Sequence, residues 1–221
     1  MKNKIIQGLI FLPMFFLCRA TDAQITMIQE KHHKVVLENQ WIRITELVIS
    51  VGDTVAAHRH DKASVVIFLT ASKCAIQDIG QQPAVANVAP GNTVYRAYDE
   101  KPVTHLVWSA DESFFRCLVV EMMKPHRGES CPPPAKNGLA LLWRQKAVSA
   151  YGLEVLTGSS FNLPASNCQF VLIDFSGSAT ARGQKLGVGD FLFIPSDHAT
   201  KITAAEKENA KCVLLQLTPM R

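Results

Sequence analysis

Short runs of β-branched and aromatic residues, separated by turn residues, constrain the fold of this chain more than any other feature. None of these runs is longer than 10 residues. Runs of this kind are typical of strands bounded by turns. Only residues 139–148 (LALLWRQKAV) also tolerate a helical interpretation. The pattern therefore predicts an all-β protein, with strands in WIRITELVIS, SVVIFLTA, NTVYRAY, THLVWS, FFRCLVVEMM, YGLEVLTGSS, QFVLIDFSG, DFLFIPS and KCVLLQLTP.

The two halves of the chain repeat the same order of features. Each has a strand, a turn led by Gly52 or Gly158, an apolar strand, a Gly- or Pro-containing turn and a closing run, RCLVVEM or KCVLLQL. Between the halves, GESCPPPAKNG combines a Pro run with flanking Gly residues, as linkers do. An internal duplication follows. We expect a first β-unit at residues 24–127, a linker at 128–138 and a second β-unit at 139–221.

Residues 1–23 have the features of a secretory signal peptide. Lys2 and Lys4 give a positive start, an apolar stretch follows, and Thr21 and Ala23 are small residues at the two positions that a signal peptidase inspects. The apolar stretch is shorter than the ~20 residues that span a membrane. We expect cleavage after Ala23, a periplasmic or secreted protein and no stable membrane anchor after cleavage. An uncleaved signal anchor is the alternative.

Five cysteines follow the leader, and their number limits how they pair. An exported protein can form disulfides, but five cysteines cannot all pair within one chain. Cys117 and Cys212 lie in apolar strand-like runs, where a cysteine usually behaves as a small buried hydrophobe. Cys131 stands beside a Pro run and is expected in a loop. The sequence leaves the pairing of the five open: Cys74, Cys117, Cys131, Cys168 and Cys212.

The composition excludes several function classes. With 48% hydrophobic and 19% charged residues, the chain can bury a core and is not disordered. The net charge of +4 comes without clustered basic residues, so nucleic acid is not an expected partner. No G-x-S-x-G, H-E-x-x-H or Gly-rich phosphate loop followed by Lys occurs, which leaves serine hydrolase, zincin and nucleotide-driven chemistry without support. We expect a small-molecule ligand or substrate.

His58 and His60 carry the strongest chemical signal. They lie two residues apart on a segment expected to be extended, so their side chains emerge on the same face. Two imidazoles placed in this way can bind one divalent metal. His105 is the best candidate for a third ligand, because a strand paired nearby would bring it to that face. The alternative is a bare H-x-H that binds nothing, since short motifs often occur by chance.

The spacing of Gly52, His58 and His60, followed by Gly91 and His105, resembles the two motifs of the cupin superfamily, which are small jelly-roll β-barrels. The resemblance is closer in the first half of the chain than in the second, and it points to bicupins of the RmlC-like and quercetin-dioxygenase-like kind. It implies two barrels in tandem. It also implies a divalent metal (Fe, Mn, Ni or Zn) on three histidines of the first barrel, and it is compatible with a homodimer.

The sequence departs from the cupin pattern at the ligands. Cupins usually place a Glu four residues after the second motif histidine, and Ser64 stands there. The remaining three-histidine set is similar to that of the thiol and diketone dioxygenases of the superfamily, and a decayed site is equally compatible. In the second half, Pro164 and Ser166 replace the paired histidines, and Thr200 stands at the later ligand position, two residues after His198. We expect that barrel to hold no metal.

Side chains near the motifs are expected to form a pocket in the first barrel. Tyr95, Arg96 and Trp108 lie on strands that should line it, together with Ser64. Aromatic walls with one Arg suit a small anionic or sugar-like ligand. The alternative for Trp108 is a plain core position. Glu46 would add a carboxylate only if the strand register turns it inward.

Two classes of function remain open. A metal in the first barrel would support dioxygenase-like or isomerase/lyase-like chemistry on a small organic molecule. The other class is a non-catalytic module that binds a small ligand such as a carbohydrate, and a dimerising scaffold is a weaker third. The fold alone does not choose the reaction.

His32 and His33 precede the first strand, and we expect them to be exposed rather than to act as ligands.

Overall fold

The strand-forming runs of the sequence become eighteen β-strands in the computed structural model, which describes residues 25–124, 131–134 and 138–218. Strands make up 58% of the described residues, and the one helical element among them is a short 3-10 helix, Met27–Gln29. The expected all-β class is confirmed. Residues 139–148, where a helix was also tolerated, form the end of one strand and the start of the next.

The first nine strands form one barrel from two antiparallel sheets. One sheet has the order β1-β2-β9-β4-β7 and the other β3-β8-β5-β6. Strands β1 and β2 are joined by a short turn and pair directly, whereas β4 pairs with β9 across the chain. The strands are β1 His33–Glu38, β2 Ile42–Ile49, β3 Thr54–His60, β4 Ser64–Phe68, β5 Ser72–Asp78, β6 Ala84–Val88, β7 Thr93–Arg96, β8 Val103–Ser109 and β9 Phe115–Met122.

The last nine strands repeat this arrangement. Their sheets have the orders β10-β11-β18-β13-β16 and β12-β17-β14-β15, which are the orders of the first barrel with nine added to each label. The predicted internal duplication is therefore confirmed in the topology. The strands are β10 Leu139–Arg144, β11 Val148–Val155, β12 Ser160–Leu163, β13 Gln169–Ser176, β14 Ala179–Ala181, β15 Gln184–Leu186, β16 Phe191–Ile194, β17 Thr200–Ala204 and β18 Ala210–Leu217.

A shared apolar core lies between the two barrels. The five-stranded sheet of each barrel contributes alternate residues to it, such as Ile44 and Val65 from the first and Val171 and Val213 from the second. All four side chains are fully buried, and burial of each stabilises the fold by about 1.5–3 kcal/mol. The two sheets are therefore joined through the same apolar faces that the alternating sequence pattern produces.

One glycine is required by this contact between barrels. Gly91 has a φ of 82°, and a Cβ added there would lie 2.5 Å from the ring of Phe175 in the second barrel. A side chain at this position would meet both a strained backbone and an occupied space. Gly91 therefore lets a turn of the first barrel rest against an aromatic ring of the second.

The cysteines divide between a disulfide and free thiols. Cys131 and Cys168 form a disulfide, while Cys74, Cys117 and Cys212 are free. The disulfide ties the segment before β10 to the second barrel, and the side chain of Gln216 donates a hydrogen bond to the carbonyl oxygen of Pro132 in the same segment. The described part of the predicted linker thus packs on the second barrel.

The predicted signal peptide, residues 1–23, lies outside the described residues, as do residues 125–130 and 135–137 of the region around the predicted linker. Over the ranges that are described, no helix has the length and apolar character needed to cross a membrane.

Candidate metal centre

The interior of the first barrel contains a cavity of about 350 Å³. Its walls are mostly apolar because the inward-facing positions of the strands carry aliphatic and aromatic residues. Four histidines, together with Arg96 and Tyr98, supply much of its polar lining. The apolar wall includes Leu47, Val66, Phe68, Val107, Phe115 and Val119.

Strand pairing brings three of the histidines together. His58 and His60 lie on one face of β3, and β8 pairs with β3 so that His58 stands opposite His105. The ring centroids are 4.8 Å apart for each of the pairs His58–His60, His58–His105 and His60–His105. The three residues expected from the sequence to approach one another therefore do so. The assignment of His105 as a metal ligand stays a prediction.

His33, the first residue of β1, joins this cluster. Its ring centroid lies 4.7 Å from that of His58. Potential ligand atoms of His33, His58 and His60 all lie within 4.8 Å of one another, and the Nε2 atoms of His58 and His60 are 3.0 Å apart. The four residues are buried, with exposed fractions of 6%, 0%, 4% and 4% for His33, His58, His60 and His105. The expectation that His33 is exposed is therefore wrong.

The reason for that error is local. The sequence before β1 gives no apolar alternation that would mark His33 as inward-facing, and two adjacent polar residues at a strand start are usually solvated. The 3-10 helix and the carboxylate of Glu30 turn this segment inward instead. His32, also expected to be exposed, has a side chain only 11% exposed.

Burial keeps the four imidazoles neutral. Loss of solvation, reinforced by neighbouring imidazoles, lowers the pKa of His60 to about 2, that of His105 to about 3 and that of His33 to about 4. Burial also lowers the pKa of His58. A neutral imidazole carries one unprotonated nitrogen, which is the form that binds a metal.

Hydrogen bonds to two of the rings decide which nitrogen is free. His58 Nδ1 lies 2.8 Å from the carbonyl oxygen of Ala56 and His33 Nδ1 lies 3.0 Å from a carboxylate oxygen of Glu30. Both oxygens are acceptors, so each Nδ1 carries the proton and each Nε2 is unprotonated. Metal-binding histidines are commonly oriented in this way by a carbonyl or carboxylate.

Each of the other two rings contains a buried nitrogen that the described part of the fold leaves without a hydrogen bond. His60 Nδ1 and His105 Nδ1 have no hydrogen-bond partner among the described residues. The nearest carboxylate oxygen to His105 Nδ1, from Asp78, is 3.9 Å away, too far for a hydrogen bond. With potential ligand atoms of His33, His58 and His60 within 4.8 Å of one another, this cluster of neutral imidazoles fits a divalent metal.

The second barrel shows what occupies the same positions when no such cluster is formed. His58 pairs with His105 and His60 with Val103 in the first barrel. In the second barrel the corresponding pairs are Phe161 with Ile202 and Leu163 with Thr200. All three apolar side chains are buried in the core of that barrel.

The position of His33 also carries an apolar residue in the second barrel. His33 pairs with Leu47 in β1 and β2, and Leu139 pairs with Leu153 in β10 and β11. Leu139 packs against the second core. Four apolar residues therefore stand where the first barrel has four histidines.

This register corrects the sequence-based alignment of the halves. Pro164 and Ser166 come after β12 rather than at the histidine positions, which are held by Phe161 and Leu163. Thr200 corresponds to Val103 and not to His105. His198 is exposed and outside a strand. Strand β12 has four residues where β3 has seven, so counting from Gly158 misplaced the ligand positions.

Of the four residues expected to line the pocket, only Arg96 does so. Ser64 is buried, and its hydroxyl donates to the carbonyl oxygen of Lys62 at 2.8 Å. Tyr95 turns away and its ring lies 6.1 Å from that of Trp143 in the second barrel. Trp108 follows Val107, which lines the cavity, so strand alternation places it on the other face. Trp108 is only partly buried on that face, so it is neither a pocket residue nor the core residue of the alternative interpretation.

Glu46 does not reach the cavity either. Its carboxylate accepts a hydrogen bond from Arg116 at 2.7 Å. Arg116 also donates to the carbonyl oxygen of Val188 in the second barrel. The register of β2 therefore directs this carboxylate toward the contact between the barrels.

Tyr98, Cys74 and Cys117 are among the cavity residues that were not expected from the sequence. Tyr98 is buried and its ring lies 4.9 Å from that of His60. Cys74 and Cys117 also line the cavity, and burial raises the pKa of Cys74 to about 11, so it is a neutral thiol at pH 7. Their inward orientation depends on strand register, for which the sequence carries no local signal.

Comparison with known proteins agrees with this architecture. No family model matches the chain, and no curated protein matches it. Solved structures do match. The fold resembles that of the bacterial pirin YhhW from Escherichia coli in complex with nickel(II), with a TM-score of 0.62 and 17% identity over 85% of this chain and 91% of that one.

Two enzymes are also similar in structure. An oxalate decarboxylase from Lactobacillus farciminis, in a formate complex, matches with a TM-score of 0.60 and 10% identity over 82% of this chain and 78% of that one. A quercetin 2,3-dioxygenase from Acinetobacter baumannii matches with a TM-score of 0.57 and 11% identity over 82% and 75%. The chain thus has the cupin fold in its two-barrel form, as the sequence led us to expect. A three-histidine cluster that fits a metal lies in its first barrel.

Proposed function

We propose that this protein is an exported, metal-dependent cupin that acts on a small organic molecule inside its first barrel. The observation that carries the proposal is the cluster of four buried, neutral imidazoles, in which potential ligand atoms of His33, His58 and His60 lie within 4.8 Å of one another. In the equivalent positions of the second barrel the same fold uses apolar residues, so a jelly roll of this type does not need histidines there for packing. The ligands would be His58, His60 and His105, with His33 as a fourth.

The donor set favours certain metals. Imidazole nitrogen suits Fe, Ni and Zn, whereas Mn prefers sites with more oxygen ligands. The candidate metal group in the described ranges contains histidines and no carboxylate. The nickel(II) complex of the bacterial pirin is consistent with this preference. We therefore favour Fe, Ni or Zn over Mn.

The cavity defines the kind of substrate. A bound metal would supply Lewis acidity and open coordination positions to substrate or to O₂. Apolar walls hold a largely apolar molecule and exclude water from the reacting centre. Arg96 provides a positive charge that favours an anionic group on that molecule. Tyr98, which packs against His60, limits how the substrate approaches the imidazoles.

Dioxygenase-like chemistry and isomerase/lyase-like chemistry both suit such a site. Structural neighbours include a dioxygenase and a decarboxylase. The non-catalytic alternative, a binding module for a small ligand, has the missing carboxylate at Ser64 in its favour. The apolar cavity walls argue against a carbohydrate as that ligand, because sugars need many polar partners.

Export is supported by the leader at residues 1–23 and by the disulfide between Cys131 and Cys168. Disulfides persist in the periplasm and outside the cell, and they are rare in the cytosol. Cell fractionation of the full chain, with N-terminal sequencing of the product, tests this part of the proposal. Retention of the whole protein in the cytosol with residue 1 intact would overturn it.

The metal is tested on protein purified without a polyhistidine tag. We expect close to one Fe, Ni or Zn per chain by elemental analysis, and loss of that metal in His58→Ala. Failure of the wild-type protein to retain any of these ions, including after incubation with each of them, would overturn the proposal. Catalysis is tested by O₂ uptake and product analysis with quercetin and with small aromatic acids. Binding of such compounds without turnover by the metal-loaded protein would favour the non-catalytic alternative.

A further inference from the structure

The segment just before β1 is held against the first barrel by its own contacts. The backbone N–H of Arg59, between the paired histidines, donates to the carbonyl oxygen of Ile25 at 2.9 Å, and Thr26 forms an isolated parallel bridge with Arg59. Met27 is buried in the apolar core of the barrel. We call residues 25–33 the N-terminal strap. It lies along β3, the strand that carries His58 and His60.

Glu30 is the polar centre of this strap. Its side chain is 0% exposed. One oxygen accepts from the backbone N–H of His32 at 2.8 Å and lies 3.0 Å from His33 Nδ1. The other lies 2.8 Å from His32 Nδ1. A buried carboxylate normally needs such partners, and here two of them are histidine rings.

A second carboxylate fixes the far side of the network. His32 Nε2 lies 2.8 Å from Asp53 Oδ2, at the turn between β2 and β3. Asp53 is partly exposed, with 43% of its side chain accessible. The hydrogen bonds therefore run from Asp53 in the surface turn through His32 and Glu30 to His33. They tie the strap to the turn between β2 and β3.

We propose that Glu30 is a positioning residue that makes His33 the fourth ligand of the metal centre. This inference rests on the proposed metal site. The carboxylate accepts a hydrogen bond from the Nδ1–H of His33. This hydrogen bond selects one ring tautomer and directs Nε2 toward His58. His33 lies outside the H-x-H motif, so the fourth ligand is supplied by a separate segment of the chain, the N-terminal strap.

Geometry distinguishes this role from a simple need for a buried charge. In Glu30→Gln, the amide oxygen can take the place of the oxygen that accepts from His32 N–H and His33 Nδ1. The amide NH₂ can then donate to His32 Nδ1, whose ring donates from Nε2 to Asp53. Every hydrogen bond is retained without the charge. In Glu30→Ala all of them are lost.

Cobalt(II) is the probe, because its visible absorption reports the number and arrangement of its ligands. We expect Glu30→Ala to give the spectrum of His33→Ala, although His33 is still present, and to weaken Co(II) binding by about 10–100-fold. Glu30→Gln should keep the wild-type spectrum. A wild-type spectrum in Glu30→Ala, or an Ala-like spectrum in Glu30→Gln, would overturn the proposal. Far-UV circular dichroism of each variant identifies any that does not fold.

A measurement on metal-free protein separates this inference from the proposed function. Nitrogen-15 NMR of the histidine rings should show His33 protonated on Nδ1 in the wild type and in Glu30→Gln, and shifted toward Nε2 protonation in Glu30→Ala. The same Nδ1 tautomer in all three would overturn the positioning role. Failure of wild-type protein to bind Co(II), Ni(II), Fe(II) or Zn(II), with the tautomer shift present, would overturn the proposed metal function and the ligand role of His33, but not the positioning of the His33 ring by Glu30.

Discussion

The indole of Trp143 in the second barrel donates a hydrogen bond of 2.7 Å to the hydroxyl of Thr93, which lines the cavity of the first. The wall of the candidate site is therefore held partly by the other barrel. Tyr95, two residues along β7, packs its ring against the same indole. This contact gives the second barrel a structural role in the site.

The contact between Thr93 and Trp143 is open to a stability test. Thr93→Val removes the acceptor with little change of volume and leaves the indole N–H unpaired. We expect the free energy of unfolding to fall by about 0.5–1.5 kcal/mol in urea denaturation. Trp143→Phe and the double variant complete a double-mutant cycle. Additive losses in that cycle would show that the two side chains do not interact.

Replacement of His105 by the residue at the equivalent position of the second barrel tests its predicted ligand role. His105→Ile should fold, because Ile202 occupies that position in the other barrel. It should weaken binding of Ni(II) at least 10-fold, measured by calorimetric titration of metal-free protein. His198→Ala, at an exposed histidine of the second barrel, is the matched control and should bind as the wild type does. Equal affinity in the two variants would remove His105 from the ligand set.

The lowered histidine pKa values predict that the metal-free protein becomes less stable in acid. The unfolded chain takes up protons near the ordinary histidine pKa of about 6.5, whereas folded His33 does so only at about 4 and His60 at about 2. The unfolded state therefore binds more protons below pH 6.5, and stability falls as the pH is lowered. The expected slope approaches about 1.4 kcal/mol per pH unit for each such histidine.

Urea denaturation in the presence of a chelator, at intervals from pH 7.5 to pH 4.5, measures this slope. His105→Ile removes one of the four groups, so its slope should be smaller by the contribution of one proton. A stability independent of pH between 6.5 and 4.5 would contradict the buried, neutral state of the cluster.

The disulfide between Cys131 and Cys168 should stabilise the second barrel. The two residues are separated by 37 positions in the chain, and closing a loop of this size typically contributes about 2–4 kcal/mol by restricting the unfolded state. Reduction with dithiothreitol should lower the melting temperature of the wild type. The double variant Cys131→Ser, Cys168→Ser should start from a lower melting temperature that dithiothreitol no longer changes. A shift of the same size in that variant would assign the effect to other cysteines.

Much of the fold could be predicted from the sequence because the signals involved are local. Strand runs, turn glycines and the duplicated order of features depend on neighbouring residues and a side-chain period of two. The same period places His58 and His60 on one face of β3. A strand paired nearby was expected to bring His105 to that face, and the pairing of β3 with β8 brings the three rings together.

The wrong predictions concern positions where strand register, strand length or a distant segment determines which way a side chain points. Tyr95 lies one residue from Arg96 and Trp108 lies one residue from Val107, both of which line the cavity, and a shift of one residue turns a side chain to the other face. The alignment of the halves from Gly158 failed because β12 is three residues shorter than β3. Neither strand register nor strand length is determined by a short stretch of sequence.

The chain by itself determined that strands form, where they turn and that two imidazoles share a face, because these follow from contacts between near neighbours. Only the tertiary structure decided that His33 joins them. That outcome depends on a buried carboxylate at Glu30 and on a strap lying along β3, and both are set by residues far apart in the chain that meet only when the barrel closes.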